Sequence, residues 1–145
     1  MAKTRENPIV ILVSRTVSPF IMVFALYVIF HGHYSPGGGF QGGTLLAAAV
    51  ILIRLTCGMN TSQQLFRSSW ATPLGSVGVL VYFGTGLLAL ALGGQFLNYH
   101  FLHLPMSEAM NRYYGILFVE IGVAIAVMAI LVAIFDDLSK AGPDV

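Results

Sequence analysis

The chain has 145 residues, of which 57% are hydrophobic and only 9% charged, with a formal net charge of +1 and a mean hydropathy of +0.82. Soluble domains carry about a quarter charged residues, because a surface in water has to be solvated; a chain this poor in polar groups must face lipid or another apolar subunit. The near-neutral charge excludes an electrostatic case for nucleic acid or an acidic substrate, and the lone Cys57 excludes an internal disulfide or a CxxC metal cluster.

A helix crossing the hydrocarbon core needs about 20 apolar residues at about 1.5 Å each. Residues 9–30 form the first such run, interrupted by Arg15 and Pro19. The run ends in His31-Gly32-His33 without a small-residue cleavage site, which marks an uncleaved membrane helix, not a secretory signal. Ser14, Thr16 and Ser18 set hydroxyls beside Arg15, and Pro19 removes the hydrogen bond to the Arg15 carbonyl. A kink there would expose an acceptor next to those hydroxyls.

The connector that follows reads His31-Gly32-His33-Tyr34-Ser35-Pro36-Gly37-Gly38-Gly39-Phe40-Gln41-Gly42-Gly43. Pro36 fixes its own φ and the glycines permit tight or left-handed turns, so one reading is a hairpin between two membrane helices. The Gly38/Gly42 and Gly39/Gly43 spacings also let a neighbouring helix approach closely. A second reading makes the exposed amides an ion site at a helix start. Neither a GK[ST] phosphate loop nor a GxGxxG turn after a strand is present, so nucleotide binding is not supported.

The second run, residues 40–57, carries Arg54 near its end, close enough to snorkel to the interface, and structural anchoring is the expected role of its side chain. The third, residues 73–92, opens on Pro73, a residue suited to a first helical turn. Residues 93–112 alternate aromatic and polar side chains, which suits a segment lying at the membrane surface or a docking surface for a neighbouring subunit. The fourth run, residues 113–135, is broken only by Glu120. The expected fold is therefore an all-α integral membrane bundle of four transmembrane helices, forming one domain over residues 1–145.

Lys3 and Arg5 precede the first run, Arg67 lies between the second and third, and Lys140 follows the fourth. By the positive-inside rule both termini then face the cytoplasm, which puts His31, His33, His100 and His103 on the outer side. His31 and His33 are two residues apart, a spacing that does not favour shared metal ligation from one helical face. They are interface or proton-exchanging groups on this reading, and no metal or cofactor is expected.

An ionisable group inside a bilayer is costly and turns toward protein or water. Glu120 lies about 10 Å below the outer boundary and Arg15 about 9 Å in from the cytoplasmic end, by helix rise. That leaves them about 15 Å apart in depth, too far for a direct pair. Glu120 is either a packing anchor or a protonatable carboxylate in a cation or proton path. Arg15 is an anchor that snorkels or meets an acidic group on a partner. The candidates for an ion path are thus Glu120, Arg15, His31 and His33, with Pro36, Gly37, Gly38, Gly39, Gly42 and Gly43 as packing or turn residues.

The segment from His31 to Gly43, set after an apolar helix with Arg15 and Pro19 and before an alanine-rich one, resembles the MnhB/MrpB family. The stretch Phe118-Val119-Glu120-Ile121-Gly122-Val123, followed by an apolar run and Phe135, is similar to that family too. The resemblance spans nearly the whole chain, and its distinctive part is the segment from Pro36 to Gly43. It implies a small subunit of a multisubunit Mrp-type Na⁺/H⁺ antiporter in a bacterial or archaeal cytoplasmic membrane. Other membrane subunits would be its partners, Na⁺ and H⁺ the transported ions, and the main proton channels would lie in larger partners. Related modules occur in membrane-bound hydrogenases and complex I-like enzymes, which gives a second function; a scaffold that only seals the assembly is a third. A freestanding enzyme is not expected, since no Ser/His/Asp set or paired carboxylates suit a soluble pocket.

Overall fold

The structure, a computed structural model, describes residues 7–32, 37–97 and 107–141, and these are helical apart from turns, with no strand among them. Helix α1 spans Pro8–His31. Its start follows from local chemistry: the Asn7 side chain accepts a hydrogen bond from the Ile9 amide at 3.0 Å, and Pro8 fills a first-turn position that needs no N–H. The helix continues through Pro19, which does not end it. Neighbouring hydroxyls find acceptors. Thr16 donates to the Leu12 carbonyl at 2.9 Å, and the buried Ser18 hydroxyl reaches the Ala49 carbonyl on the next helix at 3.5 Å.

Helix α2 spans Gly39–Cys57 and is followed by a short helix α3, Met59–Leu65. Gly58 joins them at φ +85°, a backbone conformation that side chains with a Cβ rarely adopt. A 3₁₀ turn, Ser68–Trp70, leads into α4, Ala71–Ala91. Helix α5 is the longest, Glu108–Ala141. Four segments are long and apolar enough to cross a membrane: Pro8–His31, Gly39–Cys57, Ser68–Ala91 and Ala109–Lys140. The chain is an all-α, multi-pass membrane protein.

Two features depart from the hydropathy reading. Helix α5 continues past both edges of the apolar run at 113–135, because the flanking residues at 107–112 and 136–141 contain neither proline nor glycine to stop it. Helix α3 is absent from that reading, since seven residues of mixed polarity (Met59–Leu65) carry no membrane-length signal.

Helices α2 and α5 form the centre, with α1 packed on α2 and α4 on α5. Small residues make these approaches possible, as is usual where lipid supplies no hydrophobic drive between helices. At the α4–α5 crossing, a Cβ on Gly78 would stand 2.6 Å from the Ala126 amide nitrogen. A compact core of Ala47, Val50, Phe66, Ala71 and Val132 lies toward the C-terminal part of α5. Large apolar side chains such as Phe20, Leu80 and Phe118 point outward, as they do when the solvent is lipid.

Candidate functional site

The glycine-rich connector and Glu120 meet in space. Helix α2 begins at Gly39 directly against the backbone of α5: a Cβ there would collide with the Glu120 carbonyl and stand 3.0 Å from its Cα. The carboxylate rests between the end of α1 and the start of α2. A Cβ on Gly32 would lie 3.0 Å from Oε2, and one on Gly38 would lie 3.4 Å from Oε1. Gly38 also holds φ at +140°, so this position demands glycine for its backbone, while a Cβ there would only touch the carboxylate. Gly37 packs on α1, where its Cβ would stand 3.3 Å from Val28 Cγ1.

The location carries an electrostatic consequence. In the first turn of α2 only the Gly42 amide has found its intrahelical acceptor, the Gly38 carbonyl at 3.0 Å. The preceding amides give a helix start about half a positive charge, and a carboxylate beside it is favoured. Glu120, half-buried in the bundle, is placed beside that end.

Gly42 and Gly43 serve opposite neighbours. A Cβ on Gly42 would stand 2.9 Å from the Ala25 carbonyl of α1, and one on Gly43 would stand 2.6 Å from the Ala124 carbonyl of α5. The consecutive glycines thus let α2 fit between two helices at once. His31 closes α1 beside this cradle; its Nδ1 is 3.2 Å from the Tyr27 carbonyl and its ring stacks on Tyr27 at 4.3 Å. His33 and Pro36, with Tyr34 and Ser35, lie outside the described residues, as do His100 and His103.

Arg15 is elsewhere. It stands about 24 Å from His31 along α1 by helix rise, exposed on the helix surface, and no ion pair joins it to Glu120.

A second ionic site occupies the opposite end of the bundle, and it corrects the expectation for Arg54. That side chain does not snorkel to the interface; it is 2% exposed and ion-paired with Asp136, itself 2% exposed. Its Nε donates to Ser62 Oγ at 3.1 Å and its Nη2 to the Phe66 carbonyl at 2.9 Å, while the guanidinium lies 5.9 Å from the centre of the Phe66 ring. One arginine therefore ties α2 to α3, to the following turn and to α5. Asp136 escaped the sequence reading because it falls one residue beyond the apolar run that ends at 135. The signal was Arg54 itself: a guanidinium inside an apolar helix calls for a carboxylate, and Asp136 sits at the right end of the fourth helix to supply it.

Among the described residues no cluster of three or more His, Cys, Asp or Glu side chains could hold a metal ion.

Comparison with known proteins finds this chain similar to antiporter subunits. Residues 9–133 match the family model described as a domain related to the MnhB subunit of Na⁺/H⁺ antiporter. The chain is 29% identical over 137 residues to the B subunit of the Na⁺/H⁺ antiporter of Alkalihalophilus pseudofirmus, covering 88% of this chain and 94% of that protein. It is 27% identical over 129 residues to the corresponding B subunit of the Na⁺/H⁺ antiporter of Bacillus subtilis, covering 88% and 89%. It is 29% identical over 138 residues to the putative antiporter subunit mnhB2 of Staphylococcus haemolyticus, covering 93% and 96%.

Proposed function

Because the chain belongs to the MnhB family and is a subunit of a multisubunit Na⁺/H⁺ antiporter, we propose that Glu120 is its protonatable group in the ion path. The supporting observation is the glycine cradle: Gly32 and Gly38 leave room for both carboxylate oxygens, and the amide end of α2 lies beside them. Other antiporter subunits are the partners, and Na⁺ and H⁺ the ions exchanged. The outward apolar side chains of the four helices are then shared between lipid and those partners.

The termini lie on the cytoplasmic side in this reading, supported by Lys3, Arg5, Arg67 and Lys140 on that side. The cradle then opens toward the outer face, and the Arg54–Asp136 pair locks the cytoplasmic end. Antiport is favoured over a hydrogenase module by the relatives above, which are described as antiporter subunits.

The deciding experiment replaces Glu120 by Gln in the complete complex. The variant complex should assemble with its partners and lose Na⁺/H⁺ exchange in everted vesicles. Normal exchange by a fully assembled E120Q complex refutes the ion-path role and leaves Glu120 as an anchor.

A further inference from the structure

We propose that the cleft between α1 and α3 holds the headgroup of an anionic phospholipid, with Arg15 as its cation. Arg15 sits within the first membrane span, is exposed, and makes no ion pair or hydrogen bond among the described residues. A guanidinium so placed is costly unless it snorkels to the interface or meets an opposite charge, and the interface is where lipid phosphates lie. The cleft beside it has a volume of about 370 Å³. One wall is a single face of α1, Arg15, Ser18, Pro19 and Met22, at the i, i+3, i+4, i+7 spacing of a helical stripe. Thr61, Gln64 and Leu65 of α3 line the other wall, and Ile53 of α2 borders the cleft as well.

The order of chemistry along the cleft selects the occupant. Thr61 and Gln64 stand on the short helix beyond the membrane end of α2, so the polar mouth lies at the membrane boundary. Arg15 and Ser18 follow about 10–15 Å along α1 from Pro8, and Pro19 and Met22 continue about 17–21 Å along it, toward mid-membrane. Donors at the boundary giving way to apolar walls inside match a phosphate diester with its acyl chains attached. The phosphate offers several acceptor oxygens to a planar guanidinium and to hydroxyl and amide donors, while the chains follow the Pro19–Met22 surface. A carboxylate on a neighbouring helix would satisfy Arg15 but would leave the donors at the mouth without a role.

The test uses the assembled complex in nanodiscs doped with a photoactivatable phosphatidylglycerol. Labelling should map to residues 15–22 and 61–65, and an equal amount of a phosphatidylcholine probe should label that segment about fivefold less, the effect expected of one basic residue near a charged headgroup. Arg15→Gln should lower phosphatidylglycerol labelling by a similar factor, and Arg15→Lys should retain most of it. Added inorganic phosphate should not compete, since a free anion lacks the chains. Co-purification of partner subunits reports whether each variant still assembles; where Arg15→Gln does not, Gln64→Leu at the mouth and the two-lipid comparison on the unmodified complex decide. Equal labelling by both lipids overturns the proposal, as does labelling unchanged by Arg15→Gln or by Gln64→Leu. It is also overturned if the cleft is unlabelled and Arg15→Gln releases a partner subunit, the result expected of an acidic partner helix.

Discussion

Arg54 and Asp136 stand 82 positions apart in the chain and form an ion pair that is closed to solvent on both sides. Burying such a pair is close to neutral against an apolar replacement, but breaking it strands a charge in a low-dielectric interior. Asp136→Ala should therefore destabilise the fold by about 3–5 kcal/mol, read as a lower melting temperature of the purified complex and less protein in the membrane. The double variant Arg54→Met, Asp136→Leu should recover most of that loss. A double variant as unstable as Asp136→Ala would show that the damage is not an uncompensated arginine. The exposed Lys140–Asp137 pair, at 3.6 Å, is the control: Asp137→Ala should leave melting unchanged.

Glycines on α2 and α4 look alike in sequence and should behave in opposite ways. A Cβ at Gly43 would press on the Ala124 backbone, whereas one at Gly84 would meet nothing within 4 Å. Gly43→Ala should force α2 and α5 apart at a cost of about 1–3 kcal/mol or more. Gly84→Ala should be neutral or stabilising by up to about 1 kcal/mol, through helix propensity. Thermal unfolding of the detergent-solubilised complex compares the two directly, and equal effects would contradict the packing described.

If the cradle serves the carboxylate, Gly38 should act through Glu120. Gly38→Ala places a Cβ in contact with Oε1 and strains a backbone at φ +140°, at a cost of about 1–3 kcal/mol. Na⁺/H⁺ exchange per assembled complex should fall. In the Glu120→Gln background the same substitution should add nothing further to the loss of exchange, a coupling that a double-mutant cycle measures. Independent, additive losses would show that the glycine acts on folding alone.

Sidedness is open to labelling. In a Cys57→Ser background, exposed positions Ser69 and Gln95 lie at opposite ends of the third span. A membrane-impermeant thiol reagent should reach Gln95→Cys in intact cells and Ser69→Cys only after permeabilisation. The reverse pattern would place the termini outside.

The four spans were legible because hydropathy is a local property: a helix satisfies its own backbone, so about 20 apolar residues suffice to announce a crossing. The glycine spacing announced close packing for the same reason, since Gly39 and Gly43 share a helix face whatever lies opposite. Helix α3 and the full length of α5 were hidden, because their residues carry polarity that a membrane window discounts. Arg54 anchors as expected, but to a buried carboxylate and not at the interface, for a related reason. Its distance from a helix end says whether it can reach water, but not whether a carboxylate on another helix reaches it first.

By itself, the sequence determined the class of solvent, the number of crossings and the residues too costly to leave in lipid without company. Only the tertiary structure decided what that company is. It put Glu120 against Gly32 and Gly38, and Asp136 against Arg54, because register and neighbour choice depend on which small residues let which backbones meet. The connector and the intramembrane carboxylate are thereby joined into one site, although nothing in their separate stretches of chain records that they touch.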